Sequence, residues 1–195
     1  LGGSSSINGM IFQRGNPLDY ERWAREPGLE HWGYADCLPY FKRMETCAVG
    51  ADDWRGSDGP LVLERGAAAG PLSRAFFEAA QQAGYGLSDD VNGYRQEGFA
   101  AFDRNVHRGR RLSAARAYLH PVKRRPNLVV HCRALVSRLI FEGDRAVGIE
   151  FSRRGRPVER VYAKELICCG GAVNSPQLLQ LSGIGPAALL QEYGI

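Results

Sequence analysis

The sequence is poor in the residues that announce metal or nucleophilic chemistry. Its five cysteines, Cys37, Cys47, Cys132, Cys168 and Cys169, contain no C-x-x-C pair and no zinc spacing. Their odd number, with two in one apolar run, leads us to expect buried, reduced thiols and a reducing compartment. Four histidines, His31, His107, His120 and His131, stand apart with no partner at motif spacing, so none is read as catalytic. The absence of G-x-S-x-G leaves a hydrolase nucleophile without support. Asp89 and Asp90 are adjacent acids, but no third ligand follows at loop spacing; a solvated turn is expected there, and no metal. Lysine is scarce: arginine supplies 22 of the 25 basic residues. The basic clusters at 108–111, 123–125 and 153–156 lie in turn-like stretches without interleaved aromatics, which argues against nucleic acid as a partner. No apolar run approaches a membrane span, and no charged and apolar leader opens the chain. A cytoplasmic setting is expected, with membrane association of a longer parent left open.

What is present suits a globular protein. The 195 residues are 44% hydrophobic and 24% charged, with a net charge of +4, enough for one sizeable core or two small ones. Leu1-Gly-Gly-Ser-Ser-Ser opens within a glycine–serine loop with no initiator methionine. Together with a strand at 166–169 that needs neighbours on both sides, this leads us to expect an interior piece of a longer protein.

The most informative stretch is Glu165–Gly185. Leu166–Cys169 is a short apolar run bounded by a charge and by glycines, the pattern of a strand buried on both faces. Gly170-Gly171 permits a tight turn or close approach to a ligand. Ser175 suits an N-cap, Pro176 the first helical position, and Gly183 the stop. A strand, glycine turn and capped helix is a common place for a cofactor, and equally a plain tight connection. Gly183-Ile-Gly185-Pro-Ala-Ala resembles a dinucleotide fingerprint but follows a helix rather than a strand, so it is set aside.

Elsewhere, Gly2–Ser6 offers backbone N–H groups and hydroxyls suited to a phosphate or flavin edge. A flexible linker would share that composition. The apolar Ile7, Met10, Ile11 and Phe12, with a turn at Asn8-Gly9, favour an ordered loop. Helices are expected at Pro17–Arg25, from an Asp36 cap through Met44, and at Pro71–Ala83, the last with Leu72, Ala75, Phe76, Ala79, Ala80 and Ala83 inward. A strand is expected at Pro60–Glu64 and another at Phe99–Val106, then a helix capped by Ser113. Gly50–Gly59 reads as a domain crossing. Strands at Leu128–Cys132, Ala134–Phe141, Ala146–Phe151 and Val158–Ala163 form an antiparallel meander.

Two long stretches resemble a known family. Gly171-Ala-Val-Asn-Ser-Pro-Gln-Leu-Leu-Gln-Leu-Ser-Gly-Ile-Gly185 is similar to the second signature of the glucose–methanol–choline (GMC) flavin oxidoreductases. Leu1-Gly-Gly-Ser-Ser-Ser-Ile-Asn-Gly-Met-Ile-Phe-Gln-Arg-Gly15 is similar to the first, without its opening residues. Leu29-Glu-His-Trp32, Asp90-Val-Asn-Gly-Tyr94, Gly109-Arg-Arg-Leu-Ser113 and Arg125-Pro-Asn-Leu128 resemble the choline dehydrogenase-like branch.

The resemblance implies a mixed α/β (α+β) fold: part of a Rossmann-like FAD-binding domain with its antiparallel meander, plus part of a substrate domain. It places 1–56 and 121–195 in the flavin domain and 57–120 in the substrate domain. Gly2, Gly3 and Ser4 are implied along the flavin phosphates, Asn8, Gly9, Met10 and Ile11 beside the isoalloxazine, and Val136 at the adenine. Gly170 and Ala172 return the chain to the flavin sheet. Some relatives carry a histidine, covalently joined to flavin, where this chain has Ile7, so non-covalent FAD is implied. The family's N-terminal glycine turn and its C-terminal catalytic histidine have no counterpart here; no catalytic residue is assigned. The implied activity of the parent is oxidation of an alcohol, choline-like or aliphatic, to an aldehyde, with a quinone, dye or oxygen as electron acceptor. The same residues would serve a flavin-containing cyanohydrin lyase or a non-catalytic flavin-binding relative.

Overall fold

The structure, a computed structural model, describes residues 1–195. The chain divides into two compact units, Leu1–Leu128 and Val129–Ile195.

The first unit is built on a small mixed sheet. Its elements are β1 (Ile11–Phe12), α1 (Pro17–Trp23), α2 (Tyr34–Met44), β2 (Glu45–Cys47), β3 (Leu61–Arg65), α3 (Pro71–Gln82), β4 (Asp103–Arg104), β5 (Val106–His107) and β6 (Arg110–Arg111). The sheet order is β1-β4-β3-β2, with β2 and β3 parallel and the other pairs antiparallel. Asn16 caps α1 by accepting the Leu18 N–H at 2.9 Å, with Pro17 in the first turn. Tyr20 on α1 meets Tyr34 and Phe41 on α2 edge to face, at 5.7 Å between ring centres for each pair.

Several expectations need correction in this unit. Gly33 occupies the N-cap of α2, not Asp36, because Glu21 on α1 reaches across to accept the Tyr34 N–H at 3.0 Å. Pro39 accordingly lies inside the helix. On α3 only Ala80 is buried; Leu72 is 85% exposed, and it lines with Phe76, Phe99 and Phe102 an open apolar groove of about 640 Å³. The expected strand Phe99–Val106 shortens to β4 and β5, and between them the Asn105 N–H continues the pairing with β1 by donating to the Met10 carbonyl at 2.9 Å. After Ser113 the chain forms a π-helical turn, Ala115–Leu119, and the Ser113 hydroxyl accepts the Arg116 N–H at 3.4 Å. The turn at Asp89–Gly93 forms, but Val91 and Asn92 within it are buried rather than solvated.

The second unit contains the expected meander: β7 (Ala134–Glu142), β8 (Arg145–Arg153) and β9 (Glu159–Tyr162), antiparallel in the order β7-β8-β9. Leu139 and Phe151 form its core. Helix α4 (Gly171–Leu181) packs on β7, and α5 (Ala187–Glu192) follows. The Ser182 hydroxyl fixes that packing by accepting the Leu139 N–H at 2.9 Å and donating to the Leu178 carbonyl at 2.6 Å. Gly183 ends α4 in the left-handed conformation; the Ile184 N–H reaches the Leu179 carbonyl at 2.9 Å and the Gly183 N–H reaches Gln180 at 3.0 Å, the Schellman pattern.

Two strands expected here are absent. Leu128–Cys132 has no ladder partner. Leu166–Cys169 pairs with no strand of this chain, and without a neighbour on either side its apolar groups stay open: Ile167 is 86% exposed, and Cys168 and Cys169 are exposed rather than buried. Cys132 is exposed as well; only Cys47 is buried, and burial raises its thiol pKa. Helix α4 begins at Gly171, earlier than a Ser175 cap would place it, and the Ser175 hydroxyl folds back to accept the Gly170 N–H at 2.9 Å.

Candidate functional site

The residues expected along the flavin phosphates and ring share one loop in the first unit. Gly2 (φ +106°) and Gly3 (φ +55°) lead into a 3-10 turn over Gly3–Ser6. The Ser5 hydroxyl donates to the Gly2 carbonyl, and Ser6 donates to the Leu1 carbonyl at 2.9 Å. The dihedral at Gly2 favours glycine, and a side chain there would also have to displace the Ser6 hydroxyl, 2.4 Å from where a Cβ would stand. Gly3 and Gly9 differ: nothing lies within 4 Å of where a Cβ would stand, so the loop presents open, side-chain-free backbone. The Asn8 side-chain oxygen accepts the Met10 N–H at 3.1 Å and closes a turn that holds Met10 at φ +66°. A non-glycine residue in that region costs about 1–3 kcal/mol and persists only where its surroundings impose it.

A second set of bonds holds the chain that follows the loop, at Phe12 and Arg14. Three guanidiniums, of Arg14, Arg55 and Arg65, interlock with three carboxylates, of Glu45, Asp90 and Asp103. Glu45 is 0% exposed and accepts Arg14 at 3.0 Å, Arg55 Nε at 2.8 Å and the Gly56 N–H at 3.0 Å. Arg55 Nη1 reaches Asp90 at 2.5 Å and Asp103 at 2.8 Å. Asp103 lies directly across the sheet from Arg65, whose Nε donates to it at 2.9 Å. Burial alone would lower the Arg55 pKa; its hydrogen bonds to Glu45 and Asp103 outweigh that and raise it above the ordinary guanidinium value. Burial pushes the Asp103 carboxyl up, but hydrogen bonds from Arg65 and Arg55 win and hold it below the usual carboxylate range.

The network also grips the loop-bearing strand. The Asn92 side-chain oxygen accepts the Arg14 N–H at 2.8 Å, its amide donates to the Phe12 carbonyl at 3.2 Å, and Arg14 Nη1 donates to the Trp54 carbonyl at 2.7 Å. Arg14 also lies over the Phe41 ring, 5.3 Å from its centre. Gly56 and Gly59 wrap the backbone around Glu45 so tightly that a Cβ would fall 1.9 Å from the Lys42 carbonyl oxygen and 2.2 Å from the Glu45 nitrogen. The stretch that read as a crossing loop is thus one wall of a packed charged core. Sequence reading missed Arg14, Glu45, Arg55, Asn92 and Asp103. The signal in reach was the pair of acids beside apolar residues, Met44-Glu45 and Phe102-Asp103.

In the second unit Val136 on β7 and Gly170 ahead of α4 line one apolar cleft of about 790 Å³, while Ala172 is not among its walls. The histidines form no acid–base pair; the polar contact of His131 is with Arg153, at 3.5 Å, and its ring packs against Phe151.

The profile of the family described as GMC oxidoreductase matches residues 1–191. An oxygen-dependent choline dehydrogenase from Staphylococcus saprophyticus is 58% identical over all of this chain, and one from Staphylococcus xylosus 57%, each over 35% of the relative's own length. The chain therefore spans about a third of the curated relatives it matches. Among solved structures, pyridoxine 4-oxidase from Mesorbium loti superposes with a TM-score of 0.90 at 35% identity, covering 98% of this chain and 38% of that one. Formate oxidase from Aspergillus oryzae superposes with a TM-score of 0.87 at 25% identity, covering 100% of this chain and 35% of that one.

Proposed function

The chain belongs to the GMC oxidoreductases, and from that premise we propose that the full-length protein oxidises an alcohol to an aldehyde, with choline or an aliphatic alcohol as substrate. FAD is the cofactor that membership indicates. When bound, FAD would supply the acceptor for the hydride of the alcohol carbon.

One observation carries the reading: the Gly2–Ile11 loop is held rigidly, yet Gly3 and Gly9 face empty space at contact distance. Such backbone fits a flat polar cofactor that must lie close to main-chain N–H groups. Gly2, Gly3 and Ser4 hold the phosphates. Asn8, Gly9, Met10 and Ile11 orient the reacting ring. Val136 contacts the adenine, and Gly170 and Ala172 bring the chain back to the flavin domain. Residues 57–120 contribute to the substrate domain, with 1–56 and 121–195 in the flavin domain. Ile7, 86% exposed, offers no nucleophile, so the flavin is held without a covalent bond. The proton of the alcohol is taken by a group outside residues 1–195. Oxygen is the favoured electron acceptor, in keeping with relatives named oxygen-dependent dehydrogenases and oxidases. A cytoplasmic setting is in keeping with the five free cysteines. No helix is long and apolar enough to cross a membrane.

The test is anaerobic mixing of full-length protein with choline and with aliphatic alcohols. Bleaching of the flavin, followed by oxygen uptake on aeration, is expected. A yellow protein that no alcohol bleaches would point to the lyase or the non-catalytic relative.

A further inference from the structure

We infer that Arg111 is a positioning residue for the flavin loop, setting the shape of Asn8–Ile11 from a hairpin distant in sequence. The inference rests on the flavin reading of that loop.

Arg111 ends the β5–β6 hairpin, paired with Val106. Its Nη1 lies 2.6 Å from the Asn8 carbonyl, 3.0 Å from the Asn8 side-chain oxygen and 3.3 Å from the Ser5 carbonyl. That nitrogen carries two protons, so three acceptors share them. The arrangement fixes both ends of the Ser5–Asn8 turn on one planar, permanently charged group. The Asn8 oxygen that Arg111 holds is the same atom that accepts the Met10 N–H. Arg111 therefore reaches the strained Met10 through Asn8. The hairpin takes a second grip: the Asn105 N–H donates to the Met10 carbonyl at 2.9 Å, and Asn105 is locked to Leu112 by bonds of 2.8 and 3.0 Å. Beside it, the Ala114 N–H donates to the Ser5 hydroxyl at 2.8 Å. Arg111 touches no reacting atom; its effect runs through the backbone it holds. A loop beside a reacting ring needs such support, because small displacements there cost rate steeply.

A cross-link serving stability alone would make the same bonds, so the test must read the flavin. Arg111→Gln and Arg111→Lys are made in the full-length enzyme. Visible circular dichroism of bound FAD, apoprotein affinity for FAD, and the rate of anaerobic flavin reduction by alcohol are measured beside thermal stability. For Arg111→Gln we expect an altered flavin dichroism, FAD affinity weaker by about tenfold and reduction slower by at least about tenfold, with partial recovery in Arg111→Lys. If Arg111→Gln fails to fold, Arg111→Lys decides the matter: it keeps the charge but not the planar fork, so an altered dichroism supports the inference and a wild-type dichroism with a wild-type reduction rate overturns it. A yellow wild type whose variants keep its dichroism and reduction rate overturns the inference while leaving the flavin reading intact. A colourless wild type overturns both.

Discussion

The two units hold their shapes by opposite means. In Leu1–Leu128 the centre is ionic: Arg14, Glu45, Arg55 and Asp103 are buried and joined to Arg65 and Asp90. In Val129–Ile195 the ion pairs, Arg153–Glu159 and Arg160–Glu150, lie at or near the surface, and the buried side chains are the apolar Leu139, Phe151 and Leu190. A buried ion network tolerates one arrangement, since every charge displaced from its partner is left in a poor solvent. An apolar face accepts many partners of the right shape. The unit that carries the glycine–serine loop is the one with the exacting centre. We read the network as the frame that keeps β1, and hence the loop, in one geometry.

Glu45→Ala strikes that frame hardest. It strands Arg14 and Arg55 in a buried site, and breaking such a set costs about 3–5 kcal/mol. The denaturation midpoint of the full-length protein should fall accordingly. A loss below about 1 kcal/mol would place Glu45 outside the frame.

Leu139→Ala sharpens the contrast from the other side. Its cost should sit near the low end of the range for such truncations, about 2–3 kcal/mol, because the adjoining cleft is open. Hydrogen exchange should quicken in β7 and β8 and stay unchanged in β1 and β4. Quickening in both units would erase the distinction.

Acid separates the units by a smaller margin. The folded Asp103 pKa lies below its ordinary value of about 3.9. Its contribution is therefore fully present above that value and is lost as pH falls through the folded one. As pH falls below about 3.9, exchange in β4 should rise more than exchange in β8. Equal responses would contradict a network held by ionised Asp103.

The smallest effect is expected at Arg160, whose pairing with Glu150 at 2.7 Å is exposed on the arginine side. Arg160→Ala should leave the midpoint unchanged within error. A clear drop would give the second unit an ionic component this account lacks.

Local features were legible in the sequence, and long-range ones were not. The Asn16-Pro17 start of α1, the Gly183 stop of α4 and the three-stranded meander follow from propensity, cap chemistry and period, all read within a few residues. The burial of Glu45 depends on Arg14, 31 residues away, and Arg14 depends on Asn92, 78 residues away. No window of sequence contains both. The same holds for Leu166–Cys169: its composition gave the right character for a buried strand, but burial needs a neighbour that this chain does not place beside it. The loop Gly2–Ile11 was singled out by motif. The bonds Arg111 makes to it span 103 and 106 residues and became visible only in the fold.

If the loop lies against the flavin, the space beside Gly9 is flavin space. Gly9 has an ordinary negative-φ backbone, and a Cβ there meets nothing within 4 Å. Gly9→Val in the full-length protein should therefore leave the stability of the apoprotein unchanged. It should weaken FAD binding at least about tenfold, equivalent to ~1.4 kcal/mol, with all released flavin remaining in the supernatant after acid precipitation. A Gly9→Val protein that binds FAD as tightly as wild type would show that the loop does not lie against the flavin.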